Sequence, residues 1–303
     1  MSWESCVVLL NSDSTNNFYS GDIVTGTVIL ELKQKQRVEH MGFKVVGVSK
    51  AQWSRSMPTV PFIRVYSDKK TILDIDINLF HELEGKTMEP GIITFQFHFL
   101  LPPDLPSSFE SAIAKVHYYI IIDGKASFKF KKQKIVPFVV QRTVNVNQIE
   151  EYLVPEFTEF EKKFWRSGAF RVNIKTFKAY APKQQAPFEI TITNEKHAKI
   201  SKINVILLQK IKYMIDSGYA EEDNKVCTAR HKKFSNTVLE TCILRMKIPQ
   251  TIPSSIHLKN SMIDVSYVFR VEVTFAFHTT IFKDVPVIIT TVPVLHYDFD
   301  NCF

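Results

Sequence analysis

An all-β fold, arranged as a tandem pair of antiparallel β-sandwiches, is what this sequence predicts. Three observations carry that expectation. Apolar and polar residues alternate with period two over long runs, no strand–helix–strand rhythm breaks them up, and blocks from the first half return in the same order in the second. The 303 residues fit roughly two domains of about 150 each. Hydrophobic residues make up 45% and charged residues 23%, which suits a globular protein and excludes a disordered one. The chain holds 24 Phe and 10 Tyr against 9 Gly, a bias towards pleated, half-buried strands.

The alternation is clearest in three places. Ile93, Phe95, Phe97, Phe99 and Leu101 alternate with Thr94, Gln96 and His98. Phe188, Ile190 and Ile192 alternate with Glu189, Thr191 and Thr193, and a longer run extends from Val265 to Phe277. Such a pattern gives each strand one buried and one wetted face, the mark of antiparallel sheets packed as a sandwich or barrel. A parallel α/β fold is not expected on the same reading.

The duplication rests on four blocks. Leu101-Pro-Pro-Asp-Leu-Pro-Ser-Ser-Phe109 returns 147 residues later as Ile248-Pro-Gln-Thr-Ile-Pro-Ser-Ser-Ile256. Val116-His-Tyr118 returns as Val265-Ser-Tyr267. Tyr19-Ser-Gly21 returns as Tyr180-Ala-Pro182, and Phe43-Lys-Val-Val46 as Ile203-Asn-Val-Ile206. The prolines end the strands before them, because proline fixes φ and has no donor. The expected domains are 1–144 and 167–299. Between them, 145–166 is glutamate-rich, carries Pro155 and lacks alternation, so an extended linker with a turn or two of helix is expected there.

Charge is uneven. The net charge is +7, and the window from Lys115 to Arg142 holds seven basic residues against one acid, Asp123. A basic face calls for an anionic partner; the alternative is a solvated strand edge whose lysines block edge-to-edge pairing. The residues expected to make the anion, phosphate or acidic-lipid contact are Lys129, Lys131, Lys132 and Lys134. Phe128 and Phe130 are expected to face the core and drive Lys129 and Lys131 outward. Nucleic acid is not an expected partner, since the outward face has no interleaved aromatics for stacking.

No catalytic residue, cofactor or metal site is expected. Gly42 and Gly47 have phosphate-loop spacing, but Val48 stands where the lysine belongs. His98 and His117 read as strand histidines. Cys227 and His231 have half the ligands of a zinc site and no partner pair nearby. The scattered Cys6, Cys227, Cys242 and Cys302 suggest no disulfide framework, and no Asn-x-Ser/Thr triplet occurs. Cys242, within an apolar run, reads as a buried small hydrophobe, with a redox role as the alternative. No apolar run approaches the roughly 18 residues of a membrane span, and Glu4 follows Met1 closely where a secretory signal has a basic flank. A cytoplasmic location is expected.

These blocks resemble the arrestin family, in its α-arrestin (arrestin domain-containing) branch. The residues that carry the resemblance are Tyr19-Ser-Gly-Asp-Ile-Val-Thr-Gly26, Leu101–Phe109 with Ala114–Tyr119, Tyr180–Asn194 and the closing Val285–Val294. The resemblance implies two immunoglobulin-like sandwiches and a non-enzymatic adaptor. Such an adaptor would bind cytoplasmic segments of membrane receptors or transporters, be recruited to plasma membrane or endosomes, and steer cargo through endocytosis or endosomal sorting. Acidic lipids and tailed α-arrestins are further partners it suggests. A retromer-like coat subunit and a lipid- or small-molecule-binding sandwich are the alternatives. The family's Pro-Pro-x-Tyr motif for WW-domain ligases is absent, as the only Pro-Pro is followed by Asp104-Leu105, so no tail of that kind and no direct ligase contact is expected. Lys183 also departs from the resemblance, standing where the family has glycine.

Overall fold

Alternating sequences bury one face of a strand and leave the other wet, and that division organises the computed structural model. It describes residues 3–12, 16–56, 63–126, 132–163, 169–195, 197–235, 237–256, 258 and 261–297. The chain divides into two compact units. The first comprises Met1–Thr143, Tyr213–Gly218 and Asn260–Met262; the second comprises Val144–Lys212, Tyr219–Lys259 and Ile263–Phe303.

The first unit runs β1 (Ser5–Leu10), β2 (Asn17–Tyr19), β3 (Ile23–Leu32), β4 (Gln36–Ser56), β5 (Ile63–Ile77), a 3-10 turn at His81–Leu83, β6 (Thr87–Met88), β7 (Gly91–Leu100), β8 (Phe109–Glu110), β9 (Ala114–Ala126) and β10 (Lys132–Gln141). One sheet has the order β1-β3-β7; the other is β2-β10-β9-β4-β5, with β6 on β4 and β8 on β9. The rings of Phe43 and Phe97 meet 4.7 Å apart between the sheets, beside the buried Tyr118 and Phe138.

The second unit opens with a 3-10 turn at Glu150–Tyr152. Its strands are β11 (Pro155–Lys163), β12 (Ala169–Phe177), β13 (Ala179–Tyr180), β14 (Gln185–Asn194), β15 (Ile200–Ile215), β16 (Gly218–His231), β17 (Leu239–Lys247), β18 (Ile263–Phe275) and β19 (Ile281–Ile289). The sheets are β11-β12-β14-β17 and β13-β19-β18-β15-β16. Phe188 packs on Phe269 and Phe170 on Phe275, each pair 4.8 Å apart.

The two topologies share one core, β1-β3-β7 with β2-β10-β9-β4-β5 matching β12-β14-β17 with β13-β19-β18-β15-β16, and differ by β6 and β8 in the first unit and β11 in the second. β2 lies parallel to β10, and β13 lies parallel to β19. The repeated Pro-Ser-Ser blocks do more than end a strand. Ser108 donates its N–H to the Val140 carbonyl at 2.7 Å, and its Oγ accepts the Val140 N–H at 3.0 Å. Ser254 makes the same reciprocal pair with Ile289, both at 2.9 Å. The repeated tyrosines lock the same loops: Tyr118 donates to the Pro106 carbonyl and Tyr267 to the Ile252 carbonyl, each at 2.6 Å.

Two expectations are corrected. Residues 145–166 are not simply a linker. Val146 and Leu153 are buried with Ala179 and Val294, and Pro155–Lys163 is a strand paired antiparallel with β12 from Pro155↔Phe177 to Lys163↔Ala169. Backbone pairing holds this edge strand, so it needs no apolar alternation. The alternating run from Val265 also stops at Phe275, where β18 ends; Phe277 is 84% exposed.

Candidate functional site

β1 makes backbone pairs with β3 from Ser5↔Glu31 to Leu10↔Gly26. Among the described residues no strand lies on its other side. An unpaired edge presents a row of free N–H and C=O groups, a template for an added strand. Val7 and Leu9 are exposed along it and Cys6 points into the core. The other unit shows what such an edge holds when filled. β12 is the counterpart of β1, since β12-β14-β17 repeats β1-β3-β7, and β12 carries β11 on the flank that β1 leaves open.

The lysines expected at the anion contact fall near this edge. Lys132 Nζ donates to the Trp3 carbonyl at 2.7 Å, just ahead of β1. The charge of Lys134 is felt by the Cys6 thiol. Both lysines are exposed. They share strand parity with Phe138 and Val140, which are buried. They therefore lie on the side of β10 that turns towards the β1-β3-β7 sheet, the side expected for Phe128 and Phe130, and they stay wet because burial along that side begins only near Val136. Lys129 and Lys131, with Phe128 and Phe130, lie outside the described residues. Arg142, at the other end of the expected basic window, is buried, and its guanidinium reaches the Asp104 carbonyl at 3.4 Å.

Chemistry is poorly supported elsewhere. Burial pushes the Cys6 and Cys242 thiols up to about 11, and the Cys227 thiol upward as well. Thiols so shifted hold their protons near neutral pH and are weak nucleophiles, which argues against the redox alternative for Cys242. His98 is exposed on the polar face of β7, and His117 Nδ1 lies 2.9 Å from the Tyr119 hydroxyl. Among the described residues no three His, Cys, Asp or Glu side chains converge as a metal site. No helix is long and apolar enough to cross a membrane.

The fold is a duplicated sandwich in which, among the described residues, one copy carries a strand on the flank that the other leaves open. The chain belongs to the arrestin family: residues 6–147 match the arrestin (or S-antigen) N-terminal domain and residues 167–294 the C-terminal domain. It is similar to arrestin domain-containing protein 5 of Bos taurus, 25% identical over 297 residues that cover 91% of this chain and 88% of the relative. The Homo sapiens protein of that name is 23% identical over 295 residues, covering 91% and 85%. Arrestin domain-containing protein 1 of Rattus norvegicus is 28% identical over 134 residues, covering 42% of this chain and 31% of the relative. Membership makes an adaptor-type role the coarse functional reading.

Sequence reasoning missed the open edge. The glutamate-rich, non-alternating 145–166 gave no sign of a strand, and parity carries no information about which strand of a sheet is left at its edge.

Proposed function

We propose that the protein is a non-enzymatic adaptor that captures an extended cytoplasmic segment of a membrane receptor or transporter as an added strand on β1, and directs that cargo into endocytosis or endosomal sorting. The observation that carries this reading is the filled slot in the duplicated unit. β11 shows that the sandwich of the second unit accepts an antiparallel strand there, and that strand carries Glu156, Glu159 and Glu161 ahead of Lys162 and Lys163. Lys132 and Lys134 near β1 add a preference for acidic or phosphorylated segments, because potentials of opposite sign favour encounter and fix register. The work is done by backbone pairing and charge, so no cofactor is needed.

The test is a titration of the full chain with phosphorylated and unphosphorylated versions of one extended receptor-tail peptide, read with amide hydrogen exchange. Ser5–Leu10 should gain protection. The K132S/K134S variant should bind the phosphorylated form roughly tenfold more weakly, each exposed pair contributing up to about 1 kcal/mol. Binding that leaves the β1 amides unchanged would sink the proposal.

A further inference from the structure

On the larger sheet of the first unit, away from β1, three lysines stand side by side. Lys50 of β4 pairs with Lys69 of β5 on one flank and with Lys115 of β9 on the other. Side chains directly opposite in neighbouring strands lie about 4.5–5.5 Å apart at Cβ, and like charges so placed destabilise the sheet. All three are exposed. Lys115 has a counter-ion, Glu110, at 2.5 Å. Among the described residues Lys50 and Lys69 have none. The fold holds a row of positive charge, relieved by a counter-ion only at Lys115, that a polyvalent anion would neutralise.

The row borders a surface hollow of about 960 Å³. Gln52 and Ser67, a directly opposed pair one step along from Lys50 and Lys69, give it amide and hydroxyl donors. Its acid, Asp68, accepts the Lys69 backbone N–H at 2.7 Å. Ile63 and Val65 share a face of β5 with Ser67 and Lys69, line the same hollow, and are 71% and 60% exposed. A soluble anion would leave these two aliphatic side chains in water, whereas a bilayer surface would bury them while the lysines meet its phosphates.

We propose that this face binds the phosphomonoester headgroup of an inositol lipid in a membrane, with Lys50, Lys69 and Lys115 on the phosphates and Ile63 and Val65 in the interface. The site is independent of β1, so it would bring the chain to a membrane whether or not a cargo segment is bound.

The experiment is sedimentation of the full chain with phosphatidylcholine vesicles containing phosphatidylinositol bisphosphate. Vesicles brought to the same total charge with phosphatidylserine, and soluble inositol trisphosphate, are the other arms. The inositol-lipid vesicles should be preferred over both. The K50S/K69S variant should lose roughly thirtyfold in binding, at about 1 kcal/mol for each lysine near the surface. Its melting temperature should hold or rise, since repulsion is removed. V65S should weaken vesicle binding and leave trisphosphate binding unchanged. K132S/K134S should keep the preference for inositol-lipid vesicles over phosphatidylserine vesicles of equal charge, which separates this site from the β1 edge. Unchanged binding by folded K50S/K69S overturns the proposal. So does equal binding to phosphatidylserine vesicles, and trisphosphate binding as tight as that of vesicles overturns the membrane source.

Discussion

Lys183 holds φ at +74°, in the left-handed region, within the turn that Gln184 closes by donating its N–H to the Ala181 carbonyl. In the first unit Gly21 holds φ at +92° in the matching turn, closed by Asp22 and Tyr19. A side chain at positive φ costs roughly 1–2 kcal/mol, part of which glycine gives back through its freer unfolded state. Lys183→Gly should therefore stabilise the protein by up to about 1 kcal/mol, seen as a melting temperature a few degrees higher. A fall in melting temperature would mean that Lys183 makes a contact worth more than the strain. The departure from the family's glycine was readable in the sequence; the backbone angle that gives it meaning was not. Residues whose setting follows from parity were readable in the same way: Phe97, Phe99, Phe188 and Phe269 are buried as their alternation requires. Lys132 and Lys134 were not, because parity alone does not tell where the covering sheet stops.

Among elements, the segment after β19 offers a titratable hold. The His296 ring stacks on Phe177 at 4.0 Å, lies edge-on to Tyr180 at 5.0 Å, and its Nε2 lies 2.7 Å from the Ala179 carbonyl. Val294 and Leu295 fix the same segment through Gln184 and Asn147. Burial holds the His296 imidazole below its ordinary 6.5, against the opposing pull of the Ala179 carbonyl. A histidine depressed in the folded state is stabilising above the unfolded value, and that contribution is lost as pH falls through the window below 6.5. Thermal stability should decline between about pH 7 and pH 5, and His296→Phe should flatten that slope; an equally steep decline in the variant would assign it to other groups. Legibility at this scale followed burial. β7, β14 and β18 stood out because each has one buried face. β11 did not, because an edge strand half-wet on both sides, with Phe157 67% exposed, leaves no period in its sequence.

At the scale of the whole molecule, the order of the four repeated blocks was enough to establish a doubled sandwich, since each block marks a strand or loop with one place in the topology. Which copy leaves its edge open among the described residues was not legible, because the difference lies in a strand added to one copy. The chain's only Pro-Pro leads into Asp104-Leu105, inside the loop that Tyr118 locks. Titration against an array of WW domains should therefore show no complex tighter than millimolar, and ubiquitination of a cargo should depend on a tailed relative added alongside. A micromolar complex with the 303-residue chain would contradict this.

β11 reaches β12 through the five residues 164–168. A tether that short gives the strand an effective concentration in the millimolar range. A cargo segment present in the cell at micromolar levels cannot compete with it, so the slot of the second unit is permanently self-occupied. On the proposed reading the adaptor is then monovalent for strand-like cargo, although its fold is twofold repeated. Crosslinking two receptor tails would take two copies of the chain, and the local density of those copies on a membrane would set whether cargo is gathered or only bound.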